Sequence, residues 1–331
     1  MPLLSVEDLE VVFPGRSGGA DVRAVDGVSL DVEAAQAVGL VGESGCGKTV
    51  TALAVLGLLP PGEAQVSGSV VFDGRSLREL PARSLRSLRG RQVAIVFQDP
   101  MTALNPVLTV GRQVAEVLEQ HFRTPRRQAH REAVALLDRV GLPDPGRRAR
   151  SFPHQLSGGM RQRVAIAMAI AGQPRLLVAD EPTTALDVTV QAQILELLRG
   201  LTAESEMALL LITHDLGVVA GTCATVYVMY AGRVVESAPR HEIFAQPRHP
   251  YTTGLLASIP RVDRAARERL RAIPGSPRDV VAWTRGCAFA PRCGNEVEGC
   301  RAGPPTLVGD GAGSRRQVRC LNPVGAPAPA E

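Results

Sequence analysis

The sequence is almost without lysine. Of its 37 basic residues, Lys48 is the single lysine and the other 36 are arginine. Aromatic residues make up only 3% of the chain, which predicts an aliphatic core, and no apolar run reaches the roughly 20 residues of a membrane-spanning helix. The N-terminus shows no signal-sequence pattern of charged, apolar and small residues. We therefore expect one large globular domain or two, with any role at a membrane being peripheral.

The single lysine lies in a glycine-rich motif that indicates nucleotide binding. Residues 42–49 read GESGCGKT, matching the pattern G-x-x-x-x-G-K-S/T, whose backbone N–H groups surround phosphates while the lysine contacts them and the hydroxyl binds Mg²⁺. A chain that otherwise uses arginine keeps lysine where a compact ammonium is required. A strand predicted over 37–41 and a helix starting over 51–59 favour this interpretation over a surface turn. The predicted nucleotide contacts are Gly42, Gly45, Gly47, Lys48, Thr49 and Thr51.

Two carboxylates follow another apolar run. Asp180 and Glu181 come at the carboxyl end of a strand predicted over 175–179, the edge of an α/β sheet at which ligands bind. We expect Asp180 to hold Mg²⁺, directly or through water, and Glu181 to orient and deprotonate the attacking water, because positioning and charge stabilisation carry most of phosphoryl transfer. The alternative is a strand that simply ends in solvated acids.

The motif LSGGMRQ, residues 156–162, opens the next predicted helix. Ser157 is an ordinary helix cap that needs no function, but its hydroxyl and the bare N–H groups of Gly158 and Gly159 at a helix N-terminus also suit an anion. With the preceding motifs in place, this run resembles the signature motif of ABC-type ATPases, in the variant with Met160 where many members have glutamine.

The resemblance implies further site residues. Gln98 matches the glutamine loop that senses Mg²⁺ and faces the membrane partner, and His214 matches the switch histidine that contacts the γ-phosphate. Asp187 matches a loop that crosses the dimer interface, or else only caps the helix at 188. Phe13 is the candidate for stacking on adenine, or else a core residue. In this family two ATPase subunits dimerise head to tail, so that Ser157 of one closes over the nucleotide of the other.

The order of elements predicts an α/β fold. Strands are predicted over 4–13, 25–32, 66–72, 93–97, 175–179 and 208–213, and helices over 160–171, 188–203 and 109–140, the last broken near Thr124-Pro125. With the resemblance, this is an ABC-type P-loop ATPase core with a helical subdomain and a cysteine-containing C-terminal extension. We predict an ATP-binding α/β core over 1–99 and 159–260, a helical signature subdomain over 100–158, and an extension over 261–331 that ends in a disordered tail.

Three segments are similar to the ATPase subunits of oligopeptide/dipeptide-type importers, a group that includes nickel transporters: residues 97–106, 249–256 and 286–293. The resemblance runs from about residue 4 to residue 322. It implies a motor subunit at the cytoplasmic face of the plasma membrane, partnered by a paralogous ATPase, two transmembrane permease subunits and, indirectly, an extracytoplasmic solute-binding protein, with no nucleic acid. The same role for a nickel chelate or oligosaccharide, or a non-transport ABC-type ATPase, is the alternative.

The extension contains four of the six cysteines, separated by 5, 6 and 19 residues: Cys287, Cys293, Cys300 and Cys320. Structural zinc sites usually have about 2–4 residues between paired ligands. Four thiolates also suit an iron–sulfur cluster, and members of the group resembled carry one here. We expect a 4Fe–4S cluster in preference to zinc, and no metal is the third alternative. The extension, 261–331, also holds 12 basic and 7 acidic side chains, a surplus that would face lipid headgroups, an acidic partner or solvent.

Overall fold

The computed structural model describes residues 1–15, 19–184, 186–259, 273–275, 286–310 and 315–325. The chain divides into two compact units. Unit 1 comprises Met1–Leu4, Asp31–Ala37 and Val71–Ile212, and unit 2 comprises Ser5–Leu30, Val38–Val70 and Thr213–Glu331.

The secondary structure alternates between strands and helices through most of the chain. The strands are β1 (Leu4–Phe13), β2 (Val22–Val32), β3 (Ala37–Val41), β4 (Gln65–Phe72), β5 (Arg75–Ser76), β6 (Val93–Val96), β7 (Leu176–Asp180), β8 (Ala208–Thr213), β9 (Thr225–Tyr230), β10 (Arg233–Pro239), β11 (Val308–Gly309) and β12 (Gln317–Val318). The α-helices are α1 (Lys48–Val55), α2 (Ala82–Leu88), α3 (Pro100–Ala103), α4 (Val110–Phe122), α5 (Arg126–Arg139), α6 (Pro145–Arg148), α7 (Gly158–Ala171), α8 (Val188–Ser205), α9 (Leu216–Thr222), α10 (Arg240–Ala245) and α11 (Pro250–Ala257).

The sheet of unit 1 consists of parallel strands in the order β6-β7-β8. Val93 of β6 pairs with Leu176 of β7, which pairs with Ala208 of β8. Every residue of β7 and β8 is buried, as expected for parallel strands that read as continuous apolar runs. The last residue of β7 is Asp180, so this buried run brings a carboxylate to the edge of the sheet.

Residues 100–158 form helices, as predicted, and α4, α5 and α7 pack on one another within unit 1. Leu118 of α4 and Leu137 of α5 are buried in this packing. Helix α4 ends at Phe122, its C-cap Arg123 has a left-handed φ of 56°, and Pro125 precedes α5. Because proline disfavours the helical conformation in the residue before it, the chain breaks there, which confirms the predicted break near Thr124-Pro125.

The sheet of unit 2 has the order β3-β9-β10-β12-β11. Strands β3 and β9 are parallel, and the remaining pairs are antiparallel. In a separate sheet β1 lies between β2 and β4. Strands β11 and β12 come from the predicted C-terminal extension, and Val318 of β12 pairs with Glu236 of β10. These two strands of the extension therefore continue the sheet of unit 2.

Residues 51–59 were predicted to form the start of the helix after the glycine-rich motif, which placed the helix too late in the chain. It begins at Lys48 and ends at Val55. The preceding Gly47 has φ 104°, and the Thr51 N–H donates to the Gly47 carbonyl at 2.9 Å. The first helical hydrogen bond thus spans the end of the motif itself, so the lysine belongs to the helix.

The sequence analysis did not predict the short elements β9, β10, α9, α10 and α11. Of the predicted disordered tail, residues 322–325 belong to the described part of the chain, where the Val324 N–H donates to the Arg248 carbonyl at 2.8 Å. The rest of that tail, 326–331, and residues 260–272 and 276–285 lie outside the described residues.

Candidate functional site

The glycine-rich loop of unit 2 joins β3 to α1, and two of its glycines have no room for a side chain. A Cβ at Gly42 would lie 2.1 Å from the carbonyl oxygen of Met229. A Cβ at Gly47 would lie 2.3 Å from the carbonyl oxygen of Ala24, in a left-handed backbone that already disfavours other residues. The close approach of β2 and β9 therefore requires glycine at both positions, and the loop backbone stays bare.

Lys48 is buried at the start of α1, with 4% of its surface exposed. Its Nζ donates to the carbonyl oxygens of Gly42 at 2.7 Å and Glu43 at 2.9 Å, so the ammonium lies inside the curve of the loop. Thr49 is exposed in the first turn of α1. Thr51 is fully buried, and its hydroxyl donates to the Gly47 carbonyl at 3.0 Å, so Thr51 contacts the loop rather than solvent.

The carboxyl edge of unit 1 brings together two predicted residues that are 83 positions apart. The Glu181 carboxylate accepts hydrogen bonds from Gln98 Nε2 at 3.0 Å and from the Thr184 hydroxyl at 2.9 Å. Glu181 follows β7 directly, is 8% exposed and has φ 46°. Its N–H donates to the Ile212 carbonyl at 2.8 Å. A left-handed non-glycine residue costs on the order of 1–3 kcal/mol, and these bonds hold it there, beside Asp180 at the buried end of β7.

Ser157 and Asp187 are exposed helix caps in unit 1. The Ser157 hydroxyl accepts from the Met160 N–H at 3.4 Å at the start of α7, and the Asp187 carboxylate accepts from the Val190 N–H at 2.9 Å at the start of α8. Capping therefore accounts for both residues within one chain. Gly158 and Gly159 form the first turn of α7.

The remaining nucleotide candidates lie at strand ends. His214 is exposed and directly follows β8. Phe13 is the last residue of β1 and is half-buried, and residues 16–18 beyond it lie outside the described part of the chain. Sequence analysis missed Thr184 and Tyr251. Thr184 is three residues after Glu181, a spacing that would have indicated contact. Tyr251 accepts a hydrogen bond from the Glu43 N–H at 2.9 Å, which no local pattern shows.

The four cysteines of the extension are unpaired thiols. Burial raises the pKa of Cys320 to about 11, and the charges of Cys287, Cys293 and Cys300 act in the same direction. The four thiols are thus electrostatic neighbours, and thiolates are the donors that zinc and iron–sulfur clusters use. Nevertheless, the described residues contain no group of three or more histidine, cysteine or acidic side chains arranged to hold a metal ion. The donor chemistry fits the predicted metal and the arrangement does not.

Within the described residues, no helix combines the length and apolar character that crossing a membrane requires.

Comparison with known proteins places these features in a family. The chain matches the model of the ABC transporter family over residues 25–184. It is 49% identical to the dipeptide transport ATP-binding protein DppD of Bacillus subtilis (strain 168), over 90% of this chain and 88% of that protein. It is also 49% identical to the oligopeptide transport ATP-binding protein OppD of Salmonella typhimurium, over 92% and 89%.

Solved structures agree with the sequence match. The ATP-binding cassette MJ0796, in a dimeric post-hydrolysis state bound to ADP and Pi, is 28% identical with a TM-score of 0.64, over 72% of this chain and 98% of that one. Protein cbiO1 from Clostridium perfringens, part of the ABC transporter complex cbiONQ, is also 28% identical with a TM-score of 0.62, over 74% and 91%.

The chain therefore belongs to the ABC transporter family of ATP-binding proteins, and its α/β fold is the ABC ATPase fold that the sequence predicted. A second family model that matches the chain indicates a narrower group of ABC transporters. Residues 235–300 match the C-terminal region of oligopeptide/dipeptide transporters, the branch that the sequence segments around 249–256 and 286–293 indicated.

Proposed function

We propose that this chain is the ATP-hydrolysing subunit of an ABC importer for dipeptides or oligopeptides. The observation that carries the ATPase activity is the bare loop between β3 and α1, with the Lys48 ammonium buried inside it. The cargo class rests on the relatives, which are named as dipeptide and oligopeptide transport proteins. Alternative cargoes, a nickel chelate or an oligosaccharide, are outcomes of the test below.

In this proposal the loop binds the phosphates of ATP. Lys48 exchanges its two loop carbonyls for phosphate oxygens, and the N–H groups of Gly42, Gly45 and Gly47 surround them. Phe13 stacks on adenine and His214 contacts the γ-phosphate. Thr51 contributes by holding the Gly47 carbonyl at the start of α1.

Mg²⁺ fits the oxygen donors of three predicted residues, Thr49, Gln98 and Asp180, because hydroxyl, amide and carboxylate oxygens are its preferred ligands. When bound it neutralises the negative charge of the phosphates. Glu181 then acts as general base toward the attacking water. The bonds from Gln98 and Thr184 orient its carboxylate, which favours this role.

A second ATPase subunit completes the active site in this proposal. Ser157, Gly158 and Gly159 offer a hydroxyl and helix N-terminal N–H groups to the γ-phosphate bound by the partner subunit, and Asp187 crosses the interface. The exposure of Ser157, Gly158 and Asp187 supports this role. The partner is a paralogous ATPase, and the pair docks through the Gln98 region onto two permease subunits at the cytoplasmic face of the plasma membrane. An extracytoplasmic solute-binding protein delivers cargo to these permeases.

We also propose that the chain has an ATP-binding core over 1–99 and 159–260, a helical signature subdomain over 100–158, and a C-terminal extension over 261–331. In the extension, we propose a 4Fe–4S cluster only on the donor chemistry of the four cysteines, because the described residues show no arrangement that would hold a metal ion; the cluster would hold together a segment poor in apolar residues. Anaerobic purification followed by iron, sulfide and zinc analysis tests it. Protein that stays colourless and iron-free after reconstitution would contradict the cluster. Stoichiometric zinc would identify the site as a zinc site instead.

The proposed function is tested by affinity purification of the tagged full chain from gently solubilised native membranes. Two transmembrane subunits, a paralogous ATPase and a peptide-binding protein are expected to co-purify. A solute-binding protein for metals or sugars would change the cargo but keep the motor role. Recovery of nucleic acid or repair proteins without a membrane partner would contradict the transport role while leaving the ATPase assignment intact.

A further inference from the structure

A buried arginine of the C-terminal region contacts the phosphate loop directly. Arg292 ends a short 3₁₀ helix, Ala290–Arg292, in the segment that matches oligopeptide/dipeptide transporters, and its side chain is 4% exposed. It makes a two-pronged ion pair with Glu43, from Nη1 to Oε2 at 2.7 Å and from Nη2 to Oε1 at 3.0 Å. Such paired hydrogen bonds fix both distance and orientation.

Glu43 is the second residue of the loop, and each of its polar groups has a partner in unit 2. Its carboxylate binds Arg292, its N–H donates to the Tyr251 hydroxyl at 2.9 Å, and its carbonyl accepts from Lys48 Nζ at 2.9 Å. Glu43 therefore connects the C-terminal region with Lys48, the lysine that binds phosphate in the proposed function. The ion pair joins positions 249 residues apart.

The arginine is held from several directions. Its Nε donates to the Pro274 carbonyl at 2.7 Å, and its Nη1 also donates to the Tyr230 hydroxyl at 3.4 Å. The ring of Tyr230 packs against Tyr251 with centroids 4.7 Å apart and against Phe289 at 5.3 Å. Tyr230 therefore contacts both residues that bind Glu43: its hydroxyl accepts from the Arg292 guanidinium and its ring packs against Tyr251.

The pairing of Arg292 with Glu43 suggests that Arg292 does more than stabilise the fold. A buried guanidinium needs an anionic partner because its desolvation is costly. That partner is a residue of the phosphate loop itself, placed so that its own carbonyl contacts Lys48. A shift of the Glu43 backbone by a few tenths of an ångström therefore moves an atom that bonds the lysine ammonium.

We infer that Arg292 is a positioning residue for the phosphate loop, and that through Glu43 and Tyr251 the C-terminal region sets the affinity for ATP. This inference rests on the proposed function, because it takes the Lys48 loop as the site of ATP binding. It gives the C-terminal region, which is apart from the ATP-binding core in sequence, a direct effect on the nucleotide.

The test uses the full-length protein and four variants: Arg292→Gln, Glu43→Gln, the double variant, and Arg316→Gln. Arg316 is the matched control, because it is also a buried arginine of the extension over 261–331, 6% exposed, and it bonds Glu242 at 3.2 Å and the Gln246 carbonyl at 2.7 Å. ATP affinity is measured by calorimetry, kcat and KM by phosphate release, and the melting temperature with and without ATP.

We expect Arg292→Gln and Glu43→Gln each to weaken ATP binding on the order of 10-fold, chiefly through KM. The double variant should bind no more weakly than either single variant, because both remove the same interaction. Arg316→Gln should lower the melting temperature without changing ATP affinity. If Arg292→Gln does not fold, Glu43→Gln carries the test, since Glu43 is 23% exposed.

Two outcomes would overturn the inference. One is wild-type ATP affinity in both single variants with only a lower melting temperature, which is the result of a purely structural ion pair. The other is additive losses in the double variant. Failure of the proposed function is distinguishable, because the wild-type protein, or a Lys48→Ala variant compared with it, would then show no ATP binding that depends on the loop.

Discussion

Acidification should destabilise this protein through His249. The side chain is 1% exposed, and its Nδ1 accepts the Tyr251 N–H at 3.0 Å, which caps α11. The His249 N–H in turn donates to the buried Glu236 carboxylate at 2.9 Å. Burial lowers the pKa of His249 from 6.5 to about 4, with a backbone hydrogen bond to Arg319 acting in the opposite direction. The native protein therefore keeps this imidazole neutral where the unfolded chain protonates it.

The sign and size of the effect follow from that pKa difference. Between about pH 6.5 and about pH 4 the unfolded state binds a proton that the native state does not, so the free energy of unfolding decreases as the pH falls. The contribution of His249 is lost at up to ~1.4 kcal/mol per pH unit, or about 2 kcal/mol between pH 7 and pH 5. Protonation at Nδ1 would also remove the cap of α11.

The neighbouring Glu236 requires a matched control. Burial raises its pKa, so the native state takes up a proton at a higher pH than the unfolded state, and this contribution to stability increases as the pH falls. Urea unfolding of the wild type and of His249→Asn, from about pH 5 to about pH 8, separates the contribution of His249 from that of Glu236. Asparagine can cap a helix but does not titrate, so the variant lacks only the contribution of His249. The wild type should lose about 2 kcal/mol more than the variant. Equal losses in both proteins would refute the reasoning.

Three further predictions concern the nucleotide site. Glu181→Gln should keep ATP binding and slow hydrolysis by roughly 10²–10⁴-fold; unchanged turnover in a phosphate-release assay would exclude Glu181 as general base. Lys48→Arg keeps the charge, but its planar fork does not fit between the Gly42 and Glu43 carbonyls, so ATP affinity should fall, and full affinity by calorimetry would contradict this. Gly47→Ala should abolish most ATP binding, because its Cβ would meet the Ala24 carbonyl at 2.3 Å. Gly45→Ala, also left-handed but in open space, should keep more of that binding and lower the stability by about 1–3 kcal/mol; equal losses of binding would contradict the steric argument.

Much of the fold follows from local signals. Apolar runs predicted β7 and β8, and the proline at 125 predicted the break between α4 and α5. The start of α1 was misplaced because the glycine at 47 takes a left-handed conformation that brings the lysine into the helix. Strands β9, β10, β11 and β12 were not predicted, because short strands depend on their pairing partners more than on their own periodicity.

The candidate site also contains some residues that the sequence predicted and some contacts that it did not. The loop glycines, Lys48 and Asp180 could be named from sequence, because short motifs impose backbone conformation and chemistry on neighbouring residues. The bond between Gln98 and Glu181 was not predicted: the resemblance implied only that Gln98 senses Mg²⁺, and 83 residues separate it from Glu181. The described residues contain no group of side chains arranged to hold the metal predicted for the cysteines. The spacing of thiols along a chain does not determine whether they come together in the fold.

By itself, then, the sequence determined the nucleotide chemistry: a loop whose glycines keep the backbone bare and a single lysine beside them. Only the tertiary structure decided what holds that loop. Arg292 and Tyr251 reach Glu43 from 249 and 208 positions away, and no local preference encodes such a contact. The physical reason is that backbone conformation and caps are set by near neighbours, whereas burial and ion pairing depend on which distant segments the closed fold brings within hydrogen-bond distance.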